Sequence, residues 1–323
     1  MEKRYNSYVG YFRGKYGERL QKLVVDAGFT CPNRDGTAGT GGCSFCDNAA
    51  FHPGYSTSGK SIAQQLDEGI GFHKVRYRGA SHYLAYFQSY SNTYGSVGHL
   101  REVYSEALAH PLVVGLVIGT RPDCIDDAKL DLLEELRDTP LPGREAPFRT
   151  PIISIEYGIE SCYDSTLEHV GRGHTFHCAR KAVEATAARG FDVCGHFILG
   201  LPGETRQMLL DQCGIINSLP LHSVKFHQLQ LVKGTRMEAE AREHPERFER
   251  WTLDGYLDLV VDILERLRPD LFIERVAGEV PPRFVEKAEW GLVRNFQILE
   301  MLDRRLEARG TRQGALEAPP IFV

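Results

Sequence analysis

No stretch of this chain is apolar for long enough to cross a membrane. The longest run, around Leu112 to Ile118, stops far short of the roughly 20 residues a spanning helix needs. The N-terminus, Met-Glu-Lys-Arg-Tyr, lacks the apolar core of a secretory signal, so the cytoplasm is the expected compartment and no membrane partner is expected. Excess positive charge is missing too: the net charge is −5, and nothing global demands a polyanion. Internal repeats and low-complexity linkers are absent. Nor is there a disulfide framework. The chain has eight cysteines in 323 residues; three crowd into Cys31–Cys46, while Cys124, Cys162, Cys178, Cys194 and Cys213 stand singly. In a reducing compartment clustered thiols bind metal or do chemistry more often than they crosslink, and the scattered five read as small buried hydrophobes.

What is present is an alternation. Stretches rich in β-branched residues at Gln21–Asp26, His82–Phe87, Val113–Gly119, Ile152–Tyr157, Asp192–Leu199 and Ser223–Leu231 read as strands. Amphipathic segments at about Ser61–Tyr77, Val97–Ala109, Asp126–Arg137, Thr175–Arg189 and Thr205–Ser218 read as the helices between them. Six β/α units are two short of a closed barrel, so the expected fold is α/β, a partial (β/α)6 TIM-type barrel over 21–235. Segment 236–323 is expected to form an α-rich extension covering the open side, with helices near Asp254–Leu267 and Pro282–Arg309 flanking a short strand at Leu271–Val276.

Residues 1–20 form a separate basic and aromatic segment. With Lys22 just beyond it, Lys3, Arg4, Arg13, Lys15 and Arg19 outnumber Glu2 and Glu18, and Tyr5, Tyr8, Tyr11, Phe12 and Tyr16 lie among them. Two readings stand: a surface for phosphates and unstacked bases, or a helix packing its rings on the barrel with its charges solvated.

Strand parity adds a second candidate site. Ile153, Ile155, Tyr157 and Ile159 share one face; Ser154, Glu156 and Glu160 share the other. His196 aligns with Cys194 and Ile198, and Lys225 with Ser223 and His227. An inward face would bring Glu156, Lys225, His196 and His227 into the lumen. Unpaired charge is too costly in a dry interior, so this is either a salt-bridged core or a wet substrate cavity. The lumen of a packed barrel is usually filled by Val, Ile and Leu, and that favours the cavity.

The cysteine segment runs Cys31-Pro-Asn-Arg-Asp-Gly-Thr-Ala-Gly-Thr-Gly-Gly-Cys43-Ser-Phe-Cys46 and follows the first strand at its C-terminal end, where barrel enzymes keep their chemistry. Cys-x2-Cys lets two thiolates converge on one centre, and the glycine-rich loop lets Cys31 fold back as a third. Ordinary iron–sulfur clusters take four cysteines; three leave one iron open to a chelating amino acid. With His52, a Cys3His zinc site is the rival reading. No Gly-Lys-Ser/Thr follows the glycines, which argues against a phosphate loop.

These motifs resemble the radical S-adenosylmethionine (SAM) superfamily. The eleven residues between the first two cysteines are similar to its Elongator catalytic-subunit-like branch and especially to the YhcC-type group within it. That resemblance spans nearly the whole chain, through Phe29-Thr-Cys-Pro-Asn-Arg-Asp-Gly, Tyr83-Leu-Ala-Tyr-Phe-Gln, Gly119-Thr-Arg-Pro-Asp-Cys, Gly171-Arg-Gly-His, Gly200-Leu-Pro-Gly-Glu and Val232-Lys-Gly-Thr.

The resemblance implies a [4Fe–4S] cluster on Cys31, Cys43 and Cys46, with Phe45 near the adenine of SAM, Glu160 on its ribose, Arg172 on its carboxylate and Gly200 closing the pocket. Gln88 and Ser89 fall where many relatives carry Gly-Gly-Glu, which leaves the SAM amine to backbone groups or to Glu156. His196 falls where some relatives place a ribose-binding acid. Glu160 and Arg172 also read as a helix-terminus acid and a surface arginine, His196 as a hydrogen-bonded core histidine, and His174 as a helix-start residue. The implied chemistry is reductive cleavage of SAM to a 5′-deoxyadenosyl radical, with flavodoxin or ferredoxin as electron donor and Lys225 and His227 facing substrate. The implied substrate is a tRNA, at its wobble uridine. Action on a small metabolite or protein, or a non-catalytic zinc or iron–sulfur module, are the other readings.

Overall fold

The computed structural model describes residues 3–76, 80–286, 290, 291 and 293–323. Met1, Glu2 and Tyr77, and 287–289 and 292 inside the expected helix Pro282–Arg309, lie outside the described residues. Seven strands form one sheet in sequence order, every neighbouring pair parallel: β1 Gln21–Val25, β2 Tyr83–Phe87, β3 Val113–Thr120, β4 Ile152–Glu160, β5 Asp192–Leu199, β6 Ser223–Gln228 and β7 Phe272–Arg275. The helices are α1 Tyr8–Tyr16, α2 Ile62–Arg76, α3 Val97–Ala109, α4 Asp127–Asp138, α5 Asp164–His169, α6 Phe176–Ala188, α7 Arg206–Ser218, α8 Arg236–Glu243, α9 Leu253–Arg266 and α10 Asn295–Ala308. Right-handed crossovers between neighbouring parallel strands put their helices on one face, and the sheet curls as a partial TIM-type barrel around the other.

The strand expected inside the extension is the seventh of this sheet: β7 pairs with β6, so the barrel is one strand longer than the six expected. The helix expected over Pro282–Arg309 is shorter. Pro281 and Pro282 lead only into a turn at Pro282–Phe284, and the helix starts at Asn295.

Both faces of the sheet are covered. All eight residues of β3 are buried, as expected of a parallel sheet with two packed sides. Ile153, Ile155, Tyr157 and Ile159 pack in the outer core with Phe176, Ala179 and Val183 of α6, as the parity requires. On the inner face, Tyr8 and Phe12 of α1 pack against Leu84, Tyr86, Val114 and Val117.

Helix α1 closes the end where the strands begin. The Tyr11 hydroxyl donates to Asp192 at 3.1 Å, at the start of β5; its ring meets Phe272, at the start of β7, at 4.7 Å. The Tyr16 ring stacks on Phe148 at 5.5 Å. The packing alternative therefore describes the aromatics of 1–20: Tyr8, Tyr11, Phe12 and Tyr16 fill the lumen floor, Tyr5 packs in the outer core, and Arg13 and Lys15 remain exposed. Fully burying one such ring contributes about 1.5–3 kcal/mol. Cys124, Cys162, Cys194 and Cys213 are buried free thiols and Cys178 is half-buried. Among the described residues no helix is long and apolar enough to cross a membrane.

Candidate active site at the strand C-termini

The loop after β1 is folded back on itself by Asp35 and Thr40, which form an isolated bridge. The Cys43–Cys46 turn is pinned from both sides: Ser44 N donates to Val170 O at 2.9 Å, and Met237 N to Ser44 O at 3.0 Å. Gly42 has φ +79°, and a Cβ there would come within 3.0 Å of the Arg34 guanidinium, so glycine is required on steric grounds. Cys31 and Cys43 are buried and Cys46 half-buried.

Two side chains point donors at the Cys43 sulfur. Asn33 Nδ2 lies 3.4 Å away and also donates to Gly171 O at 2.6 Å. Arg172 Nη1 lies 3.5 Å away, while its Nη2 donates to Gly158 O at 2.6 Å. Arg34 donates to Cys46 O at 3.1 Å. Burial pushes the Cys46 thiol up, and the Arg34 charge pulls it the other way. Two guanidinium groups beside a cysteine cluster favour thiolate, the form that ligates metal.

Arg172 is the hub. Glu160 Oε1 sits 3.6 Å from its Nη2, and its Nε is buried with no partner. A Cβ on Gly158 would strike Glu160 Oε1 at 2.5 Å and Arg172 Nη2 at 2.6 Å. Among the described residues, the non-glycine residues at positive φ are Tyr90 (+60°) and Glu160 (+71°), one just after β2 and one closing β4. Such strain collects where the surrounding structure holds a functional group in place. Glu160 and Arg172 are thus partners at the strand ends, not a surface acid and a surface arginine.

Three cysteines beside cationic and amide donors suit a cluster that needs three protein ligands, and the orphaned Arg172 N–H beside them suits a carboxylate. His52 is not brought to the cysteines; its Nε2 lies 2.8 Å from Ser89 Oγ, which removes the fourth ligand from the zinc reading. Phe45 is partly buried and packs against the cluster of Val170, Leu201, Met237, Ala241 and Phe248. Gly200 (φ +91°) faces the Trp251 ring, which a Cβ would meet at 2.8 Å. His174 precedes the N-cap Thr175 of α6 and is held neutral, its pKa driven down to about 3 by burial and by the charges of Arg172 and Arg121.

The parity cluster forms in the lumen as a closed ion network. Glu156, fully buried, takes Lys22 at 2.6 Å, Lys225 at 2.5 Å and His196 at 2.9 Å. Glu274 takes Lys22 at 2.5 Å and Lys225 at 2.8 Å. Burial alone would raise the Glu156 carboxyl; Lys22, Lys225 and His196 outweigh it and hold it well below the carboxylate range.

Glu156 therefore has no oxygen to spare for a SAM amine, and the salt-bridged core describes this layer better than the wet cavity. Cys194 and His196 approach Glu156 closely enough for a metal, yet two lysines already neutralise the carboxylate. Burial and the nearby Arg275 hold His227 well below the usual histidine range, so it is neutral. Lys22 and Glu274 complete the network. Lys22 alternates with Val24 along β1 and was open to the same parity argument; Glu274 was hidden because its strand was assigned to the extension.

Above this layer a cavity of about 870 Å³ opens between the strand ends and the segment after β6, lined among others by Tyr86, Gln88, Gly200, Lys225, Trp251 and Arg275.

The radical SAM superfamily matches residues 35–211, and the Radical_SAM C-terminal domain matches residues 221–308. Among curated proteins the chain is 34% identical to Protein YhcC of Escherichia coli (strain K12), over 99% of this chain and 97% of that one. It is 34% identical to the uncharacterized protein YtqA of Bacillus subtilis (strain 168), over 97% and 92% respectively. It is also 26% identical, over 53% of its own length and 35% of the other's, to a tRNA uridine(34) acetyltransferase of Dehalococcoides mccartyi. Among solved structures, Elp3 of the archaeon Methanocaldococcus infernus superposes with a TM-score of 0.65 at 15% identity, over 91% of this chain and 64% of that one. The chain belongs to the radical SAM superfamily, in its YhcC-type group, and the cofactors of that superfamily are a [4Fe–4S] cluster and SAM.

Proposed function

We propose that Cys31, Cys43 and Cys46 hold the cluster, and that the enzyme works on tRNA at the wobble uridine. When bound, the cluster and SAM supply a 5′-deoxyadenosyl radical that takes a hydrogen atom from a substrate carbon. The observation that carries the assignment is Arg172, which faces the Cys43 sulfur at 3.5 Å with a buried, partnerless Nε. There it takes the SAM carboxylate by a charge-assisted hydrogen bond.

Glu160, held by Arg172, accepts from the ribose. Phe45 and Gly200 flank the adenine. With Glu156 consumed by lysines, the amine falls to backbone groups of the Gln88-Ser89 turn. Lys225 and His196 act through the network, as a charged floor beneath the substrate, and His227 stands beside them as a neutral face. Trp251 and the segment after β6 exclude water from the cavity, which a radical site requires.

Support for tRNA comes from the relative named for uridine 34 and from Arg242 and Arg294 lining the cavity mouth. The basic helix α1 lies at the other end of strands such as β3, whose eight residues span roughly 25 Å. The test is anaerobic reconstitution and reduction with dithionite, with flavodoxin or ferredoxin as the physiological donors to try next. Formation of 5′-deoxyadenosine is expected, and modified nucleosides of bulk tRNA should differ between deletion and parent strains. Cleavage of SAM with unchanged tRNA nucleosides would move the substrate to a small metabolite or a protein.

A further inference from the structure

The motif Gly119-Thr-Arg-Pro-Asp-Cys124 has no part in the proposed chemistry, yet it carries one of the largest fully buried side chains, Arg121. Arg121 Nε donates to Asp123 Oδ1 at 2.8 Å and Nη2 to Asp123 Oδ2 at 2.7 Å. This is a bidentate pair that both orients and neutralises the guanidinium. The remaining Nη1 donates to the backbone carbonyl of Arg172 at 2.7 Å.

Arg172 needs such an anchor. It lies between Gly171 at φ +64° and Gly173 at φ +75°, and glycines are the residues that restrain a backbone least. Backbone bonds from Gly171 N to Glu168 O at 2.9 Å and from Arg172 N to Leu167 O at 2.8 Å tie the turn to α5, and two side chains hold its carbonyls: Asn33 Nδ2 on that of Gly171 and Arg121 on that of Arg172. Space is tight as well, since a Cβ on Gly173 would lie 3.2 Å from Asn33 Oδ1 and 3.4 Å from Arg121 Nη2. We propose that the Arg121–Asp123 pair is a positioning device for Arg172: it clamps the Gly171–Gly173 turn and so aims the Arg172 guanidinium at Cys43 and at the SAM carboxylate. Asp123 leaves Arg121 no net charge with which to compete for that carboxylate. A lysine at 121 reaches one acceptor as a point charge and cannot fork.

The inference rests on the assignment of cluster and SAM to this site, and the parent protein tests that first. Full-length R121K, D123N, R172K and R121K/R172K are reconstituted anaerobically and assayed for iron and sulfide. SAM is then titrated against the EPR signal of the reduced cluster, and each protein is melted. The expected result is that R121K and D123N keep iron and fold but require about ten-fold more SAM for half the spectral change. The double variant should match R172K within about two-fold, because residues acting through one group are not additive.

Unaltered SAM titrations in R121K and D123N overturn the inference, and so do multiplied losses in the double variant. Iron lost in step with SAM response also overturns it, since the pair would then only hold the loop together. If R121K fails to fold, D123N decides. A parent with no cluster, or with a cluster blind to SAM, defeats the underlying assignment instead.

Discussion

Replacing Lys225 with methionine tests whether the lumen layer is an ion network first and a substrate contact second. The wild-type layer balances two lysines against two carboxylates: Lys22 and Lys225 against Glu156 and Glu274, at 2.5–2.8 Å. Lys225 and Glu156 are 1% and 0% exposed, so the Glu156 charge left by K225M is poorly hydrated. Breaking a buried pair from one side costs about 3–5 kcal/mol. Glu156 retains Lys22 and His196, and Glu274 retains Lys22, which places the expectation at the lower end, about 3 kcal/mol. E156Q/K225M removes one charge of each sign and should be more stable than K225M alone. Urea unfolding of the three proteins measures this through midpoint and slope. A loss under about 1 kcal/mol in K225M, or strictly additive losses in the double variant, would refute the reasoning.

Glu204 is 2% exposed; Ser161 Oγ donates to its Oε1 at 2.5 Å, and its Oε2 has no partner. Burial pushes its carboxyl up to about 7 from 4.5. The folded state then holds a proton that the unfolded state releases, so Glu204 costs stability increasingly from about pH 4.5 to 7; E204Q should flatten melting temperature against pH in that window, and an unchanged slope would contradict this. G200A should destabilise and displace Trp251, because φ is +91° and the Cβ would meet the ring at 2.8 Å; a shift in intrinsic fluorescence with a lowered melting temperature checks it. Charge reversal at Arg242 and Arg294, at the cavity mouth, should weaken salt-dependent tRNA binding several-fold in filter binding, whereas reversal at Arg13 and Lys15 should not; the opposite ranking would return the RNA surface to α1.

Periodicity was enough for the six strands expected of the barrel and for the long helices between them, though not for the six-residue α5, because parallel strands covered on both faces are apolar runs bounded by amphipathic helices. It marked a short strand at Leu271–Val276 but left it in the extension, because the four residues of β7, Phe-Ile-Glu-Arg, carry two charges and do not read as an inner strand of the barrel it joins. One of them, Glu274, is inside only because Lys22 and Lys225 meet it there. Parity found Glu156, Lys225, His196 and His227, but not that Lys22 and Glu274 would join them and make the cavity floor a paired ion network. The aromatics of 1–20 left two readings open, a base-binding surface or a packed helix, because a sequence does not say which side of a helix meets the sheet; Tyr8 and Phe12 pack in the lumen floor. Arg172 was legible from its motif. The anchoring role of Arg121 was not, since it depends on a carbonyl fifty-one residues away.

The central claim concerns what the three thiols carry, and the most direct measurement is iron and acid-labile sulfide in anaerobically reconstituted protein beside C31A, C43A and C46A. The account predicts about four iron and four sulfide per chain in the parent, with the brown absorbance lost in each variant while the fold persists. A colourless parent that contains zinc and no sulfide would contradict it.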